Sequence, residues 1–313
     1  MIGRHITAAL ILTALSVSPF AFAQTGSVSG KAVVTVEGAK EAVSRDSVHF
    51  SIREGDAQVT DFVPLRGERG GLQLLILIDD SARRNLALQY SDLKAFMMSL
   101  PETTQIGVAY MQNGTARFAQ NFTNNHAAAA EALRIPSGAA GGNGSPYFVL
   151  SDLVKRWPPE QTGSGLRPGA MRREVLMFTN GVEAYDSARF DPQNPYVQSA
   201  IDDSLRAGVI VYAIYVRDVG FGGFGEAEAY NGQNYLVELT DATGGKTYYV
   251  GTNSSPDFRP YLDDLKQKLN NQYELGFMAS LKRRTDSVGI KVKVDGAKSV
   301  YAPSRVYLNQ VPQ

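Results

Sequence analysis

Three rhythms of apolar and polar residues run along this 313-residue chain. Between residues 28 and 66 the two kinds alternate with a period of two. The alternation is clear in "KAVVTVEG" from Lys31 and in "DSVHFSIREGDAQVTDFVPL" from Asp46, with turn chemistry at Glu54-Gly55-Asp56. It predicts strands with one buried face. "GERGG" at 67–71 reads as a linker, and from Leu72 the apolar residues come in unbroken runs: "LQLLILID", "EVLMFTN" and "VIVYAIYVR". Short unbroken runs bounded by loop residues mark strands covered on both faces. Between them, Leu86, Tyr90, Leu93, Met97 and Leu100 recur at helical spacing, and Pro101 closes that helix. Further helices are predicted for Ala127 to Leu133, for "SPYFVLSDLVKRW", for "PYVQSAIDDSLRAG" stopped by Gly208, for "NYLVELTDATGG" and for "PDFRPYLDDLKQKLNNQ". "QIGVAYM" and "ARFAQNF" flank Asn113-Gly114, a hairpin signal. "KTYYVG" is one more strand, and after residue 272 alternation returns in "YELGFMAS", "VGIKVKVDG" and "VYAPSRVYL".

Strands alternating with helices predict an α/β fold of the Rossmann type, a mainly parallel sheet with helices on both faces, made mixed by the one hairpin. The alternating segments at the two ends are each too small to bury a core alone. They are expected to pair with each other into a small β module beside the α/β body. No internal repeat or long low-complexity run interrupts this plan.

The first residues follow a different logic. Arg4 and His5 precede the apolar run "ITAALILTALSV", and "AFAQ" places small residues at Ala21 and Ala23. This pattern predicts a secretory signal peptide over 1–23, cut before Gln24. The run is too short for a good membrane span, and no later segment is long and apolar enough, so no transmembrane segment is expected. The mature chain is expected to be exported, to the periplasm or the extracellular space.

Composition narrows the chemistry. There is no cysteine, which excludes disulfides, thiolate catalysis, cysteine-bound metals and a lipoprotein anchor. The formal net charge is zero, which argues against nucleic acid or an anionic membrane as a partner held by bulk charge. Beyond the leader only His49 and His126 remain, and no Ser-His-Asp ordering is present, so the chain is not expected to be an enzyme. "GFGGFG" (220–225) matches a dinucleotide-binding spacing, but the next helix is placed about ten residues on and "KTYYVG" ends without an acid. The stretch reads as a surface loop on which Phe221 and Phe224 are candidates for partner contact. "KRR" at 282–284 reads as a solvated hairpin tip, and Trp157 as a helix end packed on the body.

In an open α/β sheet, ligands bind beyond the carboxyl ends of the strands, where strand order switches. Asp79, Asp80 and Ser81 fall there on the first α/β strand, and Thr179, Asn180 and Gly181 on a later one; Ser145 follows a glycine run nearby. With "LLILIDDSA", "VLMFTNG", "LTDATGGKTYY" and "NQYELGF" leading into "IKVKV", the region from 72 to 272 resembles the von Willebrand factor A (VWA) domain. More closely, it is similar to bacterial secreted proteins called VWFA-related or VWA domain-containing. The resemblance divides the chain into the leader, a β segment and linker at 24–71, a VWA-like domain at 72–272 and a β segment at 273–313. It implies a protein-interaction module with another protein as partner.

Such domains hold a divalent cation at a metal-ion-dependent adhesion site, with a pattern like Asp-x-Ser-x-Ser on one loop, a Thr on a second and an Asp on a third. Asp79 matches the first acid and Ser81 the first hydroxyl. Arg83 stands where a second serine belongs, Ser145 can stand for the threonine, and Asn180 replaces the last aspartate. Charge measures the departure. Two unit charges about 4 Å apart interact by about 4 kcal/mol at an effective dielectric of ~20, and a dication doubles this. Losing one acid and gaining one arginine therefore removes most of the attraction. The expectation is a degenerate site with no cofactor, in which the guanidinium of Arg83 or Arg84 lies over Asp79 in place of a metal. The alternative keeps a cation (Mg²⁺, Mn²⁺ or Ca²⁺) on Asp79, Ser81, Ser145 and Asn180, with Glu183 or Asp186 reaching in and an acidic ligand group as partner. The contact face is expected to comprise Asp79, Ser81, Arg83, Ser145, Asn180, Phe221 and Phe224.

Overall fold

A computed structural model describes residues 27–39, 43–81, 84–138, 144–158, 171–185, 191–216, 225–249 and 257–308. The predicted leader, and with it Arg83, Asp186, Phe221 and Phe224, lies outside the described residues, as do the side chains of Arg84 and Asn85.

The unbroken apolar runs form a six-stranded sheet, built from β4 (Leu72–Asp79), β5 (Thr104–Gln112), β6 (Thr115–Thr123), β7 (Arg172–Thr179), β8 (Val209–Tyr215) and β9 (Thr247–Tyr249) in the order β6-β5-β4-β7-β8-β9. All neighbours are parallel except β5 and β6, joined through Asn113 (φ 49°) and Gly114 (φ 74°), the two positive-φ residues that a tight hairpin turn requires.

Among the described residues six α-helices cover the sheet: α1 (Tyr90–Met98), α2 (His126–Glu131), α3 (Pro146–Lys155), α4 (Pro195–Ala207), α5 (Glu226–Thr243) and α6 (Arg259–Asn270). Alternate residues of β4 serve opposite layers. Leu74, Ile76 and Ile78 pack toward α1, α2 and α6; Leu75 and Leu77 pack toward α3, α4 and α5. This is the mainly parallel, doubly covered sheet expected from the sequence.

The alternating ends form a β-sandwich. β1 (Ser27–Glu37), β3 (Gly55–Pro64), β10 (Gln272–Leu281) and β12 (Ser299–Tyr301) make a four-stranded sheet in the order β12-β1-β10-β3. β2 (Val48–Ile52), β11 (Ser287–Val294) and β13 (Arg305–Tyr307) make a three-stranded one in the order β13-β11-β2. Both share a core with Val34, Phe62, Leu275, Phe277, Val288 and Val306. Lys282, Arg283 and Arg284 are exposed, but they join strands of two different sheets, so they are not the hairpin tip expected.

A polar seam lies where the sandwich meets the body. The Arg172 guanidinium donates to the carbonyls of Gly70 (3.0 Å), Gly71 (3.4 Å) and Leu269 (3.1 Å), and pairs with the fully buried Glu174 at 3.2 Å. Lys268, also buried, pairs with Glu37 and with Asp264, and sits over the Tyr301 ring.

α5 begins at Glu226, directly after the glycine run, rather than some ten residues later. Its opening half was hidden because it packs through Ala229 and Gly232, which add little to an apolar pattern. The dinucleotide reading still fails on charge. Glu226 and Glu228 occupy the first turn, where a phosphate would have to sit.

Candidate functional site

After β4 the chain turns one way to β5 and later returns on the other side to β7, so strand order reverses between β4 and β7. Asp79 ends β4 and Thr179 ends β7, which sets them across this switch point. Asp79 is a buried hydrogen-bond hub. Its Oδ1 accepts from the Ser81 amide at 3.0 Å and the Ser81 hydroxyl at 2.6 Å, and its Oδ2 accepts from the Thr179 hydroxyl at 3.0 Å. Thr179 Oγ1 in turn accepts from the Gly181 amide at 3.1 Å, which ties the two strand-end loops into one unit.

Ser145 and Glu183 form a second buried pair. Ser145 caps α3 by accepting from the Phe148 amide at 3.1 Å and donates its hydroxyl to Glu183, whose other oxygen accepts from the Tyr185 amide at 2.7 Å. Asn180 turns its Oδ1 back onto the Val182 amide at 3.0 Å. The loop is pressed onto α5, because a Cβ on Gly232 would stand 2.4 Å from the Asn180 carbonyl oxygen. The Gly181 carbonyl accepts from Tyr147 at 2.8 Å, and burial pushes that phenol well above its ordinary value, so it remains a donor.

The donor chemistry can be set against a dication. Asp79, Ser81 and Thr179 supply one carboxylate and two hydroxyls. Asn180 brings no charge and faces its own loop, and the Glu183 carboxylate is engaged by Ser145 and Tyr185. Among the described residues, this set gathers one carboxylate and two hydroxyls around Asp79, one acid fewer than the adhesion-site pattern uses.

The next residue carries the electrostatic feature. Asp80 is also buried, and Arg134, in the stretch after α2, donates to its Oδ1 at 2.6 Å. Gln112 donates to Oδ2 at 2.6 Å, and the Ser137 amide to Oδ1 at 3.1 Å. Burial alone would raise this carboxyl, but the hydrogen bonds from Arg134, Gln112 and Ser137 outweigh it and hold Asp80 below its ordinary value. The guanidinium lies 3.8 Å from the Tyr110 ring centroid. The Arg134 carbonyl accepts from Tyr90 and from Tyr110, both at 2.9 Å, and burial pushes both phenols upward.

The residues proposed from sequence thus divide. Asp79, Ser81, Ser145 and Asn180 come together near the switch point, all of them buried. Arg83, Phe221 and Phe224 lie outside the described residues. Thr179, Glu183 and above all Arg134 complete the arrangement. Arg134 had no local signal, since it stands 54 residues from its acid. The exposed side chains nearby are aromatic: Phe148, Tyr185 and the partly buried Tyr196 pack with ring centroids 5.5–6.4 Å apart. His126 is bonded to the Thr104 carbonyl at 2.9 Å and His49 to Asp295 at 2.9 Å, and neither lies in this arrangement.

No family model and no curated protein matches the chain. Among solved structures, the crystal structure of the SpRpn10 VWA domain is similar at 10% identity, covering 62% of this chain and 94% of that one with a TM-score of 0.38. A similarity this loose adds no weight to the strand order and layering described above.

Proposed function

We propose that this chain is an exported interaction module that engages another protein through the face at the carboxyl ends of its parallel strands, without catalysis. One observation carries the reading. Around a buried floor whose polar groups bond to one another stand a half-exposed arginine, Arg134, and a cluster of exposed aromatic side chains, Phe148 and Tyr185. Arginine and tyrosine dominate binding energy at protein interfaces because they combine large contact area with directed hydrogen bonds. The non-catalytic character is supported by the hydroxyls. Ser81 and Ser145 are buried and directed at carboxylates, with neither described histidine beside them.

The test is crosslinking of the mature chain in its native compartment, with and without EDTA, alongside Tyr185→Ala. A crosslinked protein that survives EDTA and is lost in Tyr185→Ala is the expected result. Labelling unchanged by the substitution would reject the face.

A metal-dependent reading competes because Asp79, Ser81 and Thr179 do converge. Calorimetry with Mg²⁺, Mn²⁺ and Ca²⁺ decides it. Micromolar binding that disappears in Asp79→Ala would establish the cation, and silence in all three titrations would leave the metal-free face.

A further inference from the structure

The face proposed above contains a half-used guanidinium. Arg134 Nη1 is engaged three times: with Asp80 at 2.6 Å, with the Ile135 carbonyl at 3.1 Å and with Ser137 Oγ at 3.3 Å. Among the described residues, Nε and Nη2 take no hydrogen bond, and the side chain is 38% exposed. Guanidinium carries five N–H donors in one plane, so the edge formed by Nε and Nη2 remains as a two-pronged donor fork. That edge is held in place. The Tyr110 ring supports the plane, Asp80 fixes the far nitrogen, and the backbone of Arg134 is tied on both sides by Tyr90 and Tyr110. A side chain held this firmly loses little rotamer freedom when it takes a second partner. Next to it, Ile135 is 57% exposed, an apolar shelf beside a polar fork.

Resting on the interaction reading, we propose that the Nε–Nη2 edge of Arg134 is a metal-free receptor for a carboxylate, the side chain of an Asp or Glu on the partner protein. Planar guanidinium and planar carboxylate match bidentately. The buried Asp80 cancels much of the unit charge of Arg134 at close range, so binding rests on the paired hydrogen bonds and their planar geometry more than on net charge. A second negative charge on the ligand gains little, because attraction to Arg134 and repulsion from Asp80 double together. In this arrangement the acidic group that a metal would capture is captured by an arginine, and the arginine belongs to the second of the paired acids.

The experiment uses the unmodified mature chain. The ¹⁵N–¹H signal of Arg134 Nε is assigned by its disappearance in Arg134→Lys. It is then followed during titration with sodium acetate, sodium chloride at matched ionic strength, and inorganic phosphate. The expected result is a saturable shift with acetate, none with chloride and no stronger response to phosphate. No shift with acetate, an equal shift with chloride, or a stronger response to phosphate each overturns the receptor. The crosslinking assay on Arg134→Lys separates the two layers. A fork that fails the acetate titration while EDTA-resistant, Tyr185-dependent crosslinking persists removes the carboxylate site alone. Crosslinking indifferent to Tyr185 removes the face on which it rests.

Discussion

Arg134 donates to Asp80 at 2.6 Å across 54 residues of sequence, and so neutralises the second of two adjacent acids while the first, Asp79, accepts from hydroxyls and an amide. Neighbours in the chain thus end in different chemistry. Successive side chains of a strand end point to opposite sides, and each meets the groups waiting there. The Arg134–Asp80 bond is also open to a stability test. Asp80→Asn is expected to cost about 1–3 kcal/mol, toward the lower end because the arginine is partly solvated. The pH dependence has a definite sign. A carboxyl held below its unfolded value, about 3.9, stabilises the fold fully above that pH and loses its contribution as pH falls through the folded value. Urea unfolding at pH 7 and pH 3 should show wild type and variant converging in acid.

Glu174 behaves oppositely. Burial pushes its carboxyl upward despite Arg172 and Gln272, so ionisation costs stability. The cost is absent below the unfolded value, about 4.3, and is fully present above the folded one. Glu174→Gln should therefore gain on wild type as pH rises from about 4 to 8. The Arg172 guanidinium keeps its carbonyl acceptors at Gly70, Gly71 and Leu269. Arg172→Met, which strands the buried carboxylate, should cost about 3–5 kcal/mol at neutral pH. Denaturant titrations across that range decide both.

Gly232→Ala discriminates packing from propensity. Helix propensity alone predicts stabilisation by about 1 kcal/mol. The added Cβ would meet the Asn180 carbonyl oxygen at 2.4 Å and the Gly181 carbonyl carbon at 2.8 Å, so a net loss of about 1–3 kcal/mol is expected. A raised melting temperature would show that the loop does not rest on α5.

Thr179→Val removes a donor to Asp79 and the acceptor of the Gly181 amide while preserving shape. Two buried partners are left short, and a loss of about 1–3 kcal/mol is expected. Hydrogen exchange at Gly181 should accelerate with it, and unchanged protection there would contradict the bridging role.

The sheet and most of its helices could be read from the chain because burial on both faces leaves a strand no room for polar residues. The exceptions explain what could not be read. Gln73, Gln105 and Glu174 are fully buried polar residues at the opposite end of the strands, where Trp157 donates to Gln73 at 2.7 Å and Gln73 to Gln105 at 3.2 Å. Such residues are tolerated only through partners, which Gln73 finds far away in sequence in Gln105 and Trp157, and Glu174 two residues before it in Arg172. The switch-point floor could be read in part. Asp79 and Ser81 lie at a strand end, whereas Arg134 reaches Asp80 through a loop with no periodic signal. Asn180 is expected from the sequence on the contact face, but a short loop pressed onto α5 turns its side chain back on its own backbone.

One arrangement in the sandwich has a consequence for how the molecule is assembled. β10 lies between β1 and β3, and the pair Lys31–Glu274 closes a span of 243 residues. A chain emerging amino end first must keep two strand edges open until nearly all the rest has been made. The last segments thus act as a clasp. A nascent or clipped chain ending near residue 272 would present both edges at once, without the strand that covers them, and would be open to pairing with a strand of another molecule.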